Sequence, residues 1–366
     1  MSIQHSSGTV TGAAVPPVGV RRDGELGSAL PATQRITGKL LATQGYVVGI
    51  EISGSGARQS VALADLEGHI VYRVRRPLEY VPDTETVLDL LKEMIAEVTT
   101  PERLQDQRIL RVGVAIGGLV DSTHGVVRTL YHAQGWDNFP LQDYFSDLLA
   151  VPCIIDNNAN AAALAEVQRG VGCGERVVLY VALGRGIGGA LVVNGRVYHG
   201  TTCAAGEIGH MLVQENGPKC SCNGFGHLEA IASAQAIVRT MIGQSVEYPE
   251  TEAAIRRITG ARAERITAAQ VFQLAAEGDK IAQYIVDQVH QYLGIALANI
   301  VQLINPSMII LGGSVAQAGD LLISPLQARI QALCLPVASQ SLRVVQGSLG
   351  SEANLMGAVT LALQDL

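Results

Sequence analysis

Aromatic residues are scarce in this chain of 366 residues: four phenylalanines, ten tyrosines and a single tryptophan make up 4% of it. The core must be filled largely by aliphatic residues, and forty glycines imply many tight turns and close backbone approaches. That composition suits an α/β protein with parallel strands. Charge is sparse too, at 16% against 48% hydrophobic residues, which excludes a disordered chain. A basic excess is missing, and the net charge of −7 argues against broad nucleic-acid binding. The six cysteines, at 153, 173, 203, 220, 222 and 334, lack the spacing of a small secreted disulfide framework. The opening MSIQHSSGTV lacks the basic and apolar regions of a signal peptide. No uninterrupted apolar run is long enough for a membrane span. A reduced cytoplasm is the expected location. The length itself suggests two domains sharing a cleft.

The richest stretch runs from Gly206 to Glu229, GEIGHMLVQENGPKCSCNGFGHLE. It places His210, Cys220, Cys222 and His227 within eighteen residues. Two thiols, two imidazoles and turn-forming glycines fit a tetrahedral metal site, with zinc as the natural occupant. The plainer reading is two buried cysteines acting as small hydrophobes. A one-residue gap strains a disulfide, and a histidine flanks each side, so zinc is favoured. Glu207 and Glu229 stand beside the outer histidines.

Residues 1–44 show no sustained period and read as a mobile leader without a helix-turn-helix. Residues 46–76 read as an antiparallel meander with a Gly/Ser turn at Ser53–Gly56. Asp83 or Thr84 caps a helix carrying Val87, Leu91, Met94, Ile95 and Val98. Residues 111–116 form a buried strand ending at Gly117-Gly118. Residues 151–166 read as strand, polar turn and helix, with Asp156, Asn157 and Asn158 at the strand's carboxyl end, where open α/β sheets place ligands. Those three could equally cap the helix. Residues 177–200 repeat the first meander, glycine turn included. Helices are expected over Glu229–Ile242, Thr267–Glu277, Lys280–Leu303 and Ala353–Leu363, with a buried strand and glycine turn over 307–319.

GEIGH followed by CSCNGFGHLE, together with DNNANAAALAE, ALGRGIGGALV and IILGGSVAQAG, resembles the ROK family of bacterial sugar kinases and sugar-responsive repressors over about residues 45–364. The resemblance implies a duplicated actin-like ATPase (ribonuclease H-like) α/β fold, with two domains around a central cleft and a structural zinc loop. On that reading residues 45–155 form the smaller domain, on which helix 353–366 packs back. Residues 156–352 form the larger one, with the zinc loop at 206–229. The resemblance further implies sugar contacts from Gly118, Asn157, Asn158, Glu207, His210 and Glu229, and nucleotide contacts, if retained, from Gly54, Ser55, Gly184, Arg185, Gly186, Gly312 and Gly313. The metal ligands would be His210, Cys220, Cys222 and His227, with His227 standing where the family has a cysteine. A homodimer is expected, and DNA binding is not.

The departures bear on activity. Asn158 stands where the family's kinases carry the aspartate that takes the sugar hydroxyl's proton, and an amide cannot take it at neutral pH. The kinase pattern Asp, Gly-Gly-Thr-Lys reads Glu51 to Gly56 here, without the lysine. Arg185 replaces a threonine in the second phosphate turn, and Gly117 replaces a proline. The first reading is therefore a non-catalytic sugar-binding protein, closest to the sensor domain of xylose-type repressors but without their winged helix-turn-helix. The alternative is an active glucokinase-like enzyme using ATP and magnesium, with Asp156 or Glu207 as base. A scaffold acting only by protein contact ranks last.

Overall fold

The computed structural model describes residues 45–53, 58–78, 83–130, 133–260 and 262–366. The leader assigned to residues 1–44 and the turn residues Gly54, Ser55 and Gly56 lie outside them.

Two five-stranded sheets follow one plan. β1 (Tyr46–Ile52), β2 (Arg58–Ala64) and β3 (Ile70–Pro77) form an antiparallel meander, and β4 (Ile109–Ile116) and β7 (Cys153–Asn157) add in parallel beyond β1, giving β3-β2-β1-β4-β7. A hairpin of β5 (Leu119–Asp121) and β6 (Val126–Thr129) leaves this sheet after β4. The second sheet repeats the order with β8 (Val177–Leu183), β9 (Ile187–Val193), β10 (Arg196–Val197), β11 (Met308–Gly312) and β12 (Arg343–Gln346), as β10-β9-β8-β11-β12. The duplication seen in residues 46–76 and 177–200 thus extends to the order and direction of all five strands.

The central strand β1 is buried along its whole length, which is why YVVGIEI reads as a nearly continuous apolar run. Its alternate residues serve two cores. Val48, Ile50 and Ile52 pack with Leu91, Met94 and Ile95 of α1 (Thr84–Val98), which Asp83 caps by accepting from the Thr86 amide at 2.8 Å. α2 (Leu141–Leu149) buries Leu141 and Phe145 in the same core, whereas α3 (Asn158–Arg169), which follows β7, packs Ala159, Ala163 and Val167 against Val178 and Tyr180 of the second sheet. In the second half, α4 (Ala234–Ser245), α5 (Lys280–Ile304) and α6 (Asp320–Leu333) bury Ile237, Leu293, Leu297 and Leu326 against Val181 and Leu311. The last helix, α7 (Ala353–Leu363), returns to the first sheet, where Leu355 and Val359 meet Val47 and Ala62. That approach needs small residues. A Cβ on Gly113 would lie 2.0 Å from the Ala358 carbonyl oxygen, and one on Gly357 would lie 2.4 Å from the Ala161 carbonyl carbon.

One expected element is divided. The helix expected over Glu229–Ile242 stops at Ala232 and restarts at Ala234, because Ser233 is extended and its hydroxyl caps α4 by accepting from Ala236 N at 3.2 Å. A serine that bonds the backbone ahead of it competes with helix continuation. Glu229 is therefore the first residue of a short turn of helix and not part of a long rod.

Candidate functional site

The carboxyl end of β7 and the start of α3 set one wall of a cavity of about 230 Å³. Asn157 is the N-cap of α3: its Oδ1 accepts from Ala159 N at 2.7 Å, and its Nδ2 donates to the Gly118 carbonyl at 2.6 Å. Both polar ends of Asn157 are thus engaged by the backbone, leaving a ligand one Nδ2 hydrogen and the second lone pair of Oδ1. Asn158, one residue on, lines the cavity with Oδ1 buried and without a protein partner. Such an atom carries a desolvation penalty unless a ligand or water satisfies it.

The opposite wall comes from the second half. Glu207, His210, Ser221 and Glu229 line it together with Arg185, Gly186, Gly188 and Gly189. Glu229 is fixed by two donors: Ile187 N to Oε2 at 3.0 Å and Ser221 Oγ to Oε1 at 2.7 Å. Gly186 makes room for it, since a Cβ there would lie 2.3 Å from Glu229 Oε2. Burial raises the Glu207 carboxyl above its ordinary range, the neighbouring His210 opposes this and Glu229 adds to it. Gly118, Asn157, Asn158, Glu207, His210 and Glu229, singled out in the sequence, all line this one cavity. Sequence reasoning did not single out Leu130, beyond the β5–β6 hairpin, or Ser221, between the two cysteines.

His210, Cys220, Cys222 and His227 come together, their potential ligand atoms all within 4.8 Å of one another. Cys220 Sγ lies 3.7 Å from His210 Nδ1, and Cys222 Sγ lies 3.2 Å from His227 Nδ1. Metal–sulfur bonds of about 2.3 Å and metal–nitrogen bonds of about 2.0–2.1 Å place tetrahedral ligands at such separations, so the group could hold a metal ion. His210 presents Nδ1 to the cluster, while its Nε2 lies 3.9 Å from Glu207 Oε2 at the cavity. Gly224 leaves room for the ring of His227, whose Cε1 would lie 2.4 Å from an added Cβ.

Asp156 points elsewhere. It is 3% exposed and lines a separate cavity of about 470 Å³ with His199, Gln168 and Arg196. Its Oδ1 accepts from Asn157 N at 2.7 Å and Asn160 Nδ2 at 2.8 Å, and its Oδ2 lies 2.7 Å from His199 Nε2. Strand alternation sends neighbours to opposite faces, and Asp156 has no route to a ligand beside Asn158. The hydrogen bond to Asp156 raises the His199 pKa. A raised imidazole pKa contributes stability that is fully present below the unfolded value of about 6.5, and that is lost as pH climbs through the folded value. The melting temperature of a His199→Gln variant should therefore fall further below that of the unsubstituted protein at pH 6 than at pH 8. Equal gaps at the two pH values would show that the pair contributes nothing as an ion pair.

The residues singled out for nucleotide divide between two places. Gly184, Arg185 and Gly186 form the turn between β8 and β9, closed by Gly184 N to Gly186 O at 3.0 Å, and Arg185 and Gly186 line the first cavity. Gly312 and Gly313 line another cavity of about 240 Å³ with Glu166, Tyr180 and Gln346. The two turns touch: Gly313 has φ +88, and a Cβ there would lie 2.4 Å from Leu183 O and 3.0 Å from Gly184 N. Gly54 and Ser55 lie outside the described residues.

Comparison with known proteins places the chain among relatives of two kinds. The model of the ROK family matches residues 47–365. A glucokinase of Halalkalibacterium halodurans is 31% identical over 322 residues, covering 87% of this chain and 95% of the relative. A xylose repressor of Caldicellulosiruptor bescii is 25% identical over 325 residues, covering 88% of this chain and 79% of the repressor. Among solved structures, a ROK family glucokinase from Streptomyces griseus in complex with glucose and AMPPNP superposes with a TM-score of 0.75 at 27% identity, covering 87% of this chain and all of that one.

Proposed function

This chain belongs to the ROK family, whose model spans residues 47–365, and we propose that it binds a hexose or related sugar in the 230 Å³ cavity without efficient phosphoryl transfer. The observation that carries the sugar is convergence: Glu207, His210 and Glu229, from after β10, meet Gly118, just past β4, and Asn158, just past β7. Carboxylates and an amide can pair with vicinal hydroxyls, and neighbouring groups fix the orientation of Glu229. The observation against transfer is Asn158, whose amide cannot take the hydroxyl proton. On this reading the Cys/His group holds zinc in a structural role, since four protein ligands leave no open position. The metal would fix His210 by Nδ1 and so shape the sugar pocket.

The relatives favour a second reading. A glucokinase aligns along 95% of its length, and Glu207 offers a carboxyl in the cavity whose pKa burial raises. With ATP and magnesium, Glu207 would then stand in as base. Asp156 is excluded from that role by its engagement on the other side of β7. A coupled assay separates the readings: the first predicts that sugars raise the melting temperature while ATP with magnesium is not consumed. Steady ADP release on adding glucose, mannose or an N-acetyl sugar decides for the kinase.

A further inference from the structure

We propose that Asp156 and His199 form a positioning pair: their hydrogen bond ties together, behind the sugar cavity, the two chain segments that carry its opposite walls, and so sets the affinity for sugar without touching it. The inference rests on the sugar-binding reading and adds to it two residues that lie outside the lining of the cavity.

Both segments are short. On one side, Asp156 is the penultimate residue of β7 and directly precedes Asn157 and Asn158. Its Oδ1 accepts from Asn157 N at 2.7 Å and from Asn160 Nδ2 at 2.8 Å, which fixes the first turn of α3, and with it the place of Asn158. On the other side, His199 opens the segment that leads from β10 to Glu207. Its carbonyl accepts from Ala205 N at 3.1 Å, closing residues 199–205 into a loop. Gly206 follows at φ +91, where a Cβ would lie 2.3 Å from Gly189 O. A loop closed on His199 and pressed onto β9 at its far end leaves Glu207 little freedom. The link between the two segments is the 2.7 Å contact of His199 Nε2 with Asp156 Oδ2.

The loop has one more hold on the far wall. Cys203 Sγ lies 3.5 Å from Thr123 Oγ1 and 3.7 Å from Ser122 Oγ, at the turn of the β5–β6 hairpin. Sulfur is a weak hydrogen-bonding partner, whereas a bond between imidazole and carboxylate is charge-assisted and directional. A buried carboxylate is costly unless it is paired, and Asp156 is 3% exposed. Its three contacts hold one geometry, and recognition of sugar hydroxyls demands placement within about 0.5 Å. The groups facing His199 are Asp156 from β7, Cys203 from its own loop, and Arg196 of β10 and Asp365 beyond α7 across the 470 Å³ cavity; α3 contributes the uncharged Leu164 and Gln168. The bond to Asp156 raises the His199 pKa, so the tie weakens as pH climbs through the folded value.

The test uses His199, whose side chain is 32% exposed and can be replaced without opening a core. The metal-loaded full chain and its His199→Ala and His199→Gln variants are titrated calorimetrically with glucose, mannose and N-acetylglucosamine at pH 6 and pH 8, well below each melting temperature. At pH 6 His199→Ala is expected to bind sugar on the order of ten-fold more weakly than the unsubstituted protein. His199→Gln, whose amide can still donate to Asp156, is expected to recover part of that loss. From pH 6 to pH 8 the unsubstituted protein should lose affinity relative to His199→Gln, which has no titrating ring. Unchanged affinity in His199→Ala, with a lower melting temperature, would show a pair that only stabilises the fold and overturns the proposal. A loss that glutamine relieves in no part overturns it too, as does an identical pH dependence in the unsubstituted protein and His199→Gln. If His199→Ala does not fold, the pH comparison with His199→Gln decides alone. An unsubstituted protein that binds none of the sugars removes the sugar-binding reading and this one with it, whereas binding that both variants leave untouched removes only this one.

Discussion

Replacing Asn158 by aspartate raises the rate of ATP-dependent sugar phosphorylation by a factor of about 10²–10⁴, the usual contribution of a general base. The position is prepared for the change. Asn158 is the first residue of α3, its Oδ1 is buried without a protein partner, and it lines the same cavity as Glu207 and Glu229. A carboxylate at the first helical turn is favoured by the helix dipole by about 0.3–1 kcal/mol, so the substitution should not unfold the chain. A coupled ADP assay with a sugar panel reads the result. An unchanged rate would show that Asn158 is not the only block, and would shift attention to Arg185 and to the altered turn after Glu51. A high rate in the unsubstituted protein would assign the base to Glu207.

The second large effect concerns the metal. Cys220→Ala removes a thiol of the candidate metal group that is 4% exposed and lies 3.7 Å from His210 Nδ1. Loss of an outer-shell partner already lowers metal affinity by about 10–100-fold, so loss of a direct ligand should cost on the order of 10²-fold or more. The expected result is a fall from about one zinc per chain to near none, with a lower melting temperature. Sugar affinity should fall with it, because His210 and Ser221 line the sugar cavity and sit beside the cluster. Protein purified without chelators that holds no metal, with unchanged stability in the variant, would show instead that the two cysteines are ordinary small side chains.

Much of this was legible because it is encoded locally. The repeat of a meander with a glycine turn predicted two matching sheets, and strand alternation alone sent Asp156 away from Asn158. The cluster of His210, Cys220, Cys222 and His227 could be read from spacing. What was not legible depends on chain segments meeting from afar, or on elements too short to show a period. β5 and β6 span three and four residues, so neither the hairpin nor Leu130 beyond it stood out. The helix over Pro249–Thr259 has a proline at its start and an arginine-rich end, and its two buried residues, Thr251 and Ile255, give a weak apolar stripe. Ser233 looked like a helical residue in an apolar run, and only its capping bond to Ala236 N shows the break that places Glu229 at the cavity. Ser221 lies between two cysteines that drew the reading towards metal, yet its hydroxyl holds Glu229.

The central claim is that the cavity between Asn158 and Glu229 takes a sugar. The most direct measurement is calorimetric titration of the metal-loaded protein, and of a Glu229→Gln variant, with aldohexoses. Saturable binding of about one molecule per chain, weakened on the order of ten-fold or more in the variant through loss of a charge-assisted hydrogen bond, is the predicted result. No binding across the whole panel by the unsubstituted protein, or binding that the variant leaves untouched, would contradict it.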